Sequence, residues 1–289
     1  MQADERAERA AETIWRTWQG GERPPELPGE IAPRDEAEGW AAQAALARLA
    51  GPTIGWKLAA TSEGGQRHIG VTAPIPGRLF SRFLRAPGEL LPAGRNLLRV
   101  VEAELAFVLA RDLPGEGPHT TEDVLAAVDA VHLAVEVPDT RLERYADVPV
   151  AQILADDAYA GLFVLGPEVP GGRELDLAAV ETAIARNGEV AERGRGANVL
   201  GDPRAALTWL ANELPRHGLH LRAGDVVTTG TTTVPVPIAP GDRVEATFVG
   251  LGSIAVRSRP DGRYAAPRSA GATTCAISSS VCASSAGGP

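Results

Sequence analysis

A run of strict alternation in residues 98–110, LRVVEAELAFVLA, constrains the fold more than any other feature of the chain. One series of alternate positions is entirely apolar: Val101, Ala103, Leu105, Phe107 and Leu109. Because successive side chains of a β-strand point to opposite faces, the pattern predicts a strand with one face in the core. Glu102 and Glu104 belong to the other series, so both carboxylates project from the same face.

Two like charges on one half-buried face repel each other and lose hydration, so a positive charge is expected between them. A solvated edge-strand face is the alternative, and it usually explains an arbitrary E-x-E pair. Here the apolar opposite face and the hydrophobic run that follows indicate a central strand. A second alternating segment, residues 131–141, places Glu136 opposite an apolar face in the same way. Three carboxylates favour a hard divalent cation, Mg²⁺ or Mn²⁺, with positions open to substrate oxygens.

Lys57 lies in GWKLAATS, an otherwise apolar strand pattern at residues 55–62. Such a lysine either extends to solvent or is buried against anions, and a nearby carboxylate cluster favours burial and a role in proton transfer. Gly230 and Thr231 in TTGTTTVPVP offer a backbone N–H and a hydroxyl suited to a substrate carboxylate. An ordinary loop is about equally consistent with that segment. His132, alone on its strand, is expected to be structural.

The patterns divide the chain into a helical cap at residues 1–52, a catalytic body at residues 53–265 and a tail at residues 266–289. Within the cap, residues 4–18 and 35–50 carry apolar side chains at helical spacing and predict two amphipathic helices. The body consists of short β-branched runs separated by Gly, Pro and Asp, which predicts sheets. The tail is almost entirely small or polar and is predicted to be disordered.

Three local signals lie inside the body. Asn187-Gly188 between two alternating arms is the strongest hairpin signal in the chain. Asp202 suits a helix N-cap and Pro203 the first helical position, which predicts a helix that Gly218 ends. Residues 242–258 are predicted to form a closing hairpin.

Composition narrows the possible functions. With 37 acidic against 28 basic residues and no basic run interleaved with aromatics, the chain is not expected to bind nucleic acid. Cys275 and Cys282 form neither a disulfide framework nor a zinc spacing, so a reducing, cytoplasmic location is expected. The sequence contains no apolar run long enough for a secretory signal or a membrane span, so no membrane partner is expected.

Several segments, in order, resemble the fumarylacetoacetate hydrolase superfamily, specifically its branch of 2-keto-4-pentenoate hydratases and oxalocrotonate decarboxylases. The resemblance covers residues 35–258 and rests on GWKLAATS, VEAELAFVLARDL, EVPDTR, ILADDAYAGLFVLG, GANVLGDPRAALTWLANEL, LRAGDVVTTGTTT and PGDRVEATFVGLGSIAVR. It implies an α+β fold, with a mixed, rolled β-structure of the fumarylacetoacetase C-terminal-domain type and an N-terminal helical part. It also implies a homo-oligomer, possibly with a related subunit, and a role in aromatic catabolism.

The resemblance implies roles for the polar residues that the strand patterns select. The implied metal ligands are Glu102, Glu104 and Glu136. The implied catalytic residue is Lys57, beside a bound 2-oxo acid, and the predicted substrate-binding residues are Thr231, Gly230 and Asp156. The glutamate at position 136 is similar to the residue found in the hydratase and decarboxylase branch, whereas the hydrolase branch usually has an aspartate there.

The leading interpretation is a divalent-metal-dependent lyase acting on a small 2-oxo (enol) acid, a hydratase that adds water through a metal-bound enolate. A decarboxylase of an oxalocrotonate-like 2-oxo diacid is the alternative. A catalytically idle subunit that binds an oxo acid or an active relative is a third hypothesis. Two departures favour the third: Ile75 stands where the resembled hydratases usually have an acidic residue, and Tyr159 where they tend to have a small hydroxyl residue.

Overall fold

The computed structural model describes residues 3–92, 95–115 and 117–261. The α-helices are α1 (Ala3–Trp18), α2 (Glu36–Ala50), α3 (Glu63–Ile69), α4 (Thr121–Leu125), α5 (Val150–Ala155) and α6 (Pro203–Glu213). The predicted helices at residues 4–18 and 35–50 are α1 and α2, and both predictions are confirmed.

Side-chain caps set where two of the helices begin. The Asp35 carboxylate accepts a hydrogen bond from the Glu38 N–H at the start of α2. Asp202 accepts one from the Arg204 N–H at the start of α6, with Pro203 in the first turn, as the sequence predicts. Each cap satisfies an N–H group that has no partner within its own helix.

Thirteen strands form two sheets in the described part of the chain. They are β1 (Thr53–Ala59), β2 (Ile75–Phe80), β3 (Leu84–Arg85), β4 (Leu90–Leu91), β5 (Val100–Leu109), β6 (Val128–Val137), β7 (Leu162–Glu168), β8 (Glu181–Arg186), β9 (Glu189–Arg195), β10 (Val226–Thr231), β11 (Val236–Pro237), β12 (Arg243–Phe248) and β13 (Gly252–Ser258). The larger sheet has the order β2-β1-β10-β5-β6-β7-β3, with β11 paired to β5, and the smaller has the order β4-β13-β12-β8-β9.

Both sheets are mixed. The pairs β1/β10, β3/β7 and β4/β13 are parallel, whereas β5 pairs antiparallel with β10 and with β6. Together with the helical N-terminal part, these sheets confirm the predicted α+β fold with a mixed, rolled β-structure.

The two predicted hairpins are also confirmed. Asn187 and Gly188 connect β8 to β9 with φ angles of 55° and 92°, the positive values that a tight turn between twisted strands requires. Strands β12 and β13 pair antiparallel across the turn that contains Gly250, which also has a positive φ.

Strand β5 occupies a central position in the larger sheet, between β10 and β6. The apolar series that the sequence alternation predicts is at most 2% exposed: Val101, Ala103, Leu105, Phe107 and Leu109. The predicted central strand is therefore confirmed, and its second face carries Glu102 and Glu104.

The N-terminal helices pack on the body of the protein. Gln43 of α2 donates a hydrogen bond to the Pro76 carbonyl oxygen at 2.8 Å, and the Arg141 guanidinium stacks 3.9 Å from the centre of the Trp18 ring. One continuous cluster of buried apolar side chains runs from α1 and α2 into both sheets. The boundary between cap and body at residue 52 stays a prediction.

Among the described helices, none combines the length and apolar character needed to cross a membrane. The predicted tail at residues 266–289, which includes Cys275 and Cys282, lies outside the described residues.

Candidate active site

Two glutamates lie side by side on adjacent central strands of the larger sheet. Glu102 on β5 and Glu136 on β6 are direct cross-strand partners. Glu104 follows two residues along β5, and one carboxylate oxygen from each of the three lies within 4.8 Å of the others. Glu104 and Glu136 are 0% and 1% exposed. Because like charges opposite each other destabilise a sheet, this convergence needs a compensating positive charge.

Burial raises the pKa of all three carboxyl groups. Burial and the charge of Glu136 raise the pKa of Glu102 to about 7. Burial and the charge of Glu102 raise the pKa of Glu104 to about 7. Burial raises the pKa of Glu136 to about 8, although the nearby Lys57 ammonium acts in the opposite direction. Burial and mutual repulsion therefore make the ionised form of these three carboxyl groups costly unless positive charge compensates it.

Lys57 supplies one positive charge to the cluster. Its Nζ lies 3.3 Å from Glu136 Oε2 and donates a hydrogen bond to the Ala158 carbonyl oxygen at 3.1 Å. Burial lowers the pKa of Lys57, but the charges of Glu136, Glu102 and Glu104 raise it by more, so the ammonium stays protonated. One ammonium leaves two negative charges uncompensated when all three glutamates are ionised.

A bulge in β10 supports Glu104. Between Thr228 and Thr231 the pairing of β10 with β5 gains one extra residue, and Gly230 adopts a φ of 99°. The Gly230 N–H and the Thr228 hydroxyl both donate to Glu104 Oε2, the former at 3.0 Å. A Cβ at Gly230 would lie 1.9 Å from Thr61 Oγ1, so the bulge requires glycine. Sequence reasoning missed Thr228, because its role depends on pairing with a distant strand.

The donor set fits a hard divalent cation. Oε1 of Glu104 and Oε1 of Glu136 are buried and accept no hydrogen bond from any described residue. A buried carboxylate oxygen without a donor is costly, and a cation bound by the three carboxylates removes that cost together with the uncompensated charge. Carboxylate oxygens are the ligands that Mg²⁺ and Mn²⁺ prefer, so these three residues could hold either ion.

A cavity of about 650 Å³ opens beside the cluster. Lys57 and Glu102 line it, and so do Gly230 and Thr231, two of the predicted substrate-binding residues. Their polar groups are partly committed: the Gly230 N–H donates to Glu104, and the Thr231 hydroxyl donates to the Thr233 carbonyl oxygen at 3.0 Å. The structure thus brings the predicted metal ligands, the predicted catalytic lysine and these two residues to one site.

Asp156, the third predicted substrate-binding residue, lies apart from the other two, and its role toward substrate stays a prediction. It is fully buried and does not line the cavity. Its carboxylate accepts hydrogen bonds from the Thr140 hydroxyl at 2.6 Å and from the backbone and side chain of Arg141. Both carboxylate oxygens therefore accept hydrogen bonds from Arg141, so Asp156 holds this buried guanidinium in place.

The turn that follows Asp156 shapes the cavity wall. Asp157, Ala158 and Tyr159 have φ angles of 54°, 48° and 62°, values that residues with a Cβ rarely adopt. Burial raises the pKa of Asp157 to about 7, and its Oδ1 accepts a hydrogen bond from the Arg78 N–H. The turn directs the Ala158 carbonyl to Lys57. No glycine marks the turn in the sequence, so reasoning from sequence missed it.

The two departures from the resembled pattern have different places in the structure. Ile75 is a buried residue of β2, paired with Ala59, and does not line the cavity. Tyr159 does line it, and its hydroxyl donates to the Tyr145 carbonyl oxygen at 2.6 Å. His132 is outside the cavity with Nδ1 3.0 Å from the Gly166 carbonyl oxygen, in keeping with the expected structural role.

Comparisons of the sequence with a family model and with curated proteins identify the same family. The family model described as fumarylacetoacetate (FAA) hydrolase C-terminal matches residues 80–258. The chain is 39% identical to the 2-keto-4-pentenoate hydratase of Burkholderia vietnamiensis over 201 residues, 70% of this chain and 76% of that protein. It is 36% identical to the 4-oxalocrotonate decarboxylase of Pseudomonas sp. strain CF600 over 204 residues, 71% of this chain and 76% of that protein.

A solved structure shows the same fold over most of the chain. The 4-oxalocrotonate decarboxylase from Pseudomonas putida G7, complexed with magnesium and adipate, has a TM-score of 0.82 and 31% identity, covering 89% of this chain and 99% of that chain. The predicted fold type and the resemblance to the hydratase and decarboxylase branch are thereby confirmed. The chain belongs to the fumarylacetoacetate hydrolase C-terminal family.

Proposed function

We propose that this protein is a divalent-metal-dependent lyase of small 2-oxo (enol) acids, and that it hydrates a 2-keto-4-pentenoate-type substrate. One observation carries the proposal: three glutamates, of which Glu104 and Glu136 are buried, converge beside a buried lysine, and the cluster borders a cavity through Glu102 and Lys57. The relatives named hydratase and decarboxylase are both lyases, which supports the reaction class.

Glu102, Glu104 and Glu136 are the proposed ligands of Mg²⁺ or Mn²⁺. A related decarboxylase has been solved with magnesium, which supports this assignment. When bound, the cation supplies a Lewis acid that polarises the 2-oxo group and offsets the negative charge that develops there. Thr228 and Gly230 hold Glu104 in place through its Oε2, and this leaves Oε1 available as a ligand atom.

Lys57 is the proposed catalytic residue. Its ammonium is held between Glu136 and the Ala158 carbonyl oxygen and lines the cavity, so its remaining proton can be directed at a substrate carbon. Hydration adds one hydrogen and one hydroxyl group across a carbon–carbon double bond. Lys57 transfers a proton to or from the carbon of the enol system. Thr231 and Gly230 form part of the substrate-binding wall.

Proton NMR of the full chain with 2-hydroxypenta-2,4-dienoate and Mg²⁺ tests the proposal. We expect a 4-hydroxy-2-oxo acid to form, and to be absent both with EDTA and with the Glu102→Ala variant. Carbon dioxide release from an oxalocrotonate-like diacid would instead establish the second candidate, decarboxylation, which the relative of that name favours. Metal binding with no turnover of either substrate would identify an idle subunit.

A cytoplasmic location and assembly into a homo-oligomer are further parts of the proposal. The two-cysteine composition supports a reducing compartment. Light scattering on the purified chain, alone and with a co-expressed relative, distinguishes a homo-oligomer from an assembly that includes a related subunit.

A further inference from the structure

The two charged residues that border the cavity, apart from histidine, belong to the same cluster. Lys57 and Glu102 belong to the carboxylate cluster, and no arginine or second lysine lines the cavity among the described residues. Apolar and aromatic side chains form much of the remaining wall: Ile69, Leu98, Val100, Tyr145, Tyr159 and Val234. The cavity is therefore charged where the head of an oxo acid would bind and largely apolar beyond it.

Two tyrosines, Tyr145 and Tyr159, form what we term the tyrosine wall. Their rings pack edge to face with centroids 5.7 Å apart, and the His68 ring lies 6.0 Å from Tyr145. The Tyr159 hydroxyl is occupied because it donates to the Tyr145 carbonyl oxygen at 2.6 Å. Burial raises the pKa of Tyr159, so the phenol stays neutral and contributes its ring, not its hydroxyl, to a ligand.

The lining of the cavity outside the glutamate cluster contains no Lys or Arg among the described residues to pair with a second carboxylate. A carboxylate that leaves water without a cationic partner carries a large desolvation cost. Lys57 is already paired with Glu136, and His68, which lines the cavity, is exposed to solvent. The other polar side chains that line the cavity are neutral, and neutral groups compensate a buried charge less well than a guanidinium does. They are Thr61, Ser62, Asn198, Thr231 and Thr233.

We infer that the cavity selects 2-oxo (enol) acids with a single carboxylate and an apolar tail, and discriminates against diacids. The inference rests on the proposed function, because it takes the 2-oxo acid head to bind at the glutamate cluster. The volume of about 650 Å³ leaves room for the tail, since pockets of roughly 300–1,000 Å³ enclose drug-sized ligands. The tail packs against the tyrosine wall together with Leu98 and Val100.

A matched pair of inert ligands tests this selectivity. Calorimetric titration of the Mg²⁺-loaded full chain with 2-oxohexanoate and with 2-oxoadipate compares a terminal methyl with a terminal carboxylate on the same six-carbon chain. We expect 2-oxohexanoate to bind at least about tenfold more tightly. Equal affinities, or tighter binding of 2-oxoadipate, would overturn the inference. Absence of Mg²⁺-dependent binding of 2-oxobutanoate, which carries the same head on a shorter tail, would refute the proposed function and this inference with it.

Placing a cation in the apolar lining of the cavity provides a second test. Leu98 lines the cavity, whereas its neighbour Leu97 is 39% exposed and does not. We expect Leu98→Arg to strengthen 2-oxoadipate binding about tenfold relative to 2-oxohexanoate, and Leu97→Arg to leave the ratio unchanged. A ratio that stays constant in Leu98→Arg, or shifts equally in both variants, would contradict the inference. The comparison on the unmodified chain stands independently of how these variants fold.

Discussion

Replacing Glu104 with glutamine separates the cost of burying a carboxylate from its use as a ligand. Glu104 is fully buried, and its Oε2 accepts hydrogen bonds from the Thr228 hydroxyl and the Gly230 N–H. A glutamine of nearly the same shape can accept both with its amide oxygen, but it carries no charge. We therefore expect Glu104→Gln to stabilise the metal-free protein and to weaken metal binding.

The size of the stabilisation follows from the pKa of Glu104. Its rise from 4.5 to about 7, caused mainly by burial, corresponds to about 3 kcal/mol. The folded state holds this proton more tightly than the unfolded chain, so the free energy of unfolding falls as the pH rises from about 4.5 to 7. Glutamine lacks this titration. At about pH 8 in EDTA we expect the variant to be about 3 kcal/mol more stable, and at about pH 4 no such gain.

With Mg²⁺ the order should reverse. The wild-type protein should gain stability by mass action as the ion binds, whereas the variant lacks one of the proposed charged ligands. We expect at least about a hundredfold weaker Mg²⁺ binding, because loss of a hydrogen bond to a ligand alone costs about 10- to 100-fold. Urea unfolding in EDTA across this pH range, together with calorimetric titration of Mg²⁺, measures both effects.

A Glu104→Gln variant that is less stable than wild type in EDTA at about pH 8 would refute the reasoning, because burial of the charge would then not be the dominant cost. Glu189→Gln is the matched control, since Glu189 is exposed and lies on β9, the edge strand of the smaller sheet, whereas the glutamate cluster lies in the larger sheet. The control should change the free energy of unfolding by no more than about 0.5 kcal/mol at any pH.

Three further substitutions test separate parts of the structure. Lys57→Met should lower kcat by about 10²- to 10⁴-fold in steady-state assays while Mg²⁺ still binds, and near-normal kcat would exclude Lys57 from proton transfer. Asp156→Ala leaves Arg141 buried without its carboxylate and should lower the free energy of unfolding in urea by about 3–5 kcal/mol; a loss below about 1 kcal/mol would show that this pair is not essential to the fold. Gly230→Ala would place a Cβ 1.9 Å from Thr61 Oγ1 at a φ of 99°, so both Tm and Mg²⁺ affinity should fall, and an unchanged melting curve would disprove the close approach.

Local periodicity in the sequence was sufficient for much of this protein. The two-residue repeat of residues 98–110 places Glu102 and Glu104 on one face of β5 whatever the strand pairs with. The apolar environment of Lys57 indicates its burial, and the Asn187-Gly188 turn and the Asp202 cap identify their elements through backbone chemistry that acts within a few residues.

Tertiary structure decided how those parts meet. The register of β5 against β6 sets Glu102 opposite Glu136, and the parallel pairing of β1 with β10 sets Lys57 beside Thr228. No local repeat encodes strand order or register, because both depend on how the whole set of apolar faces is buried. The same long-range packing commits Asp156 to Arg141 and gives the buried glutamates their raised pKa values. Residue types in the sequence thus determined which groups could do the chemistry, and the packing of distant strands determined which of them share the site.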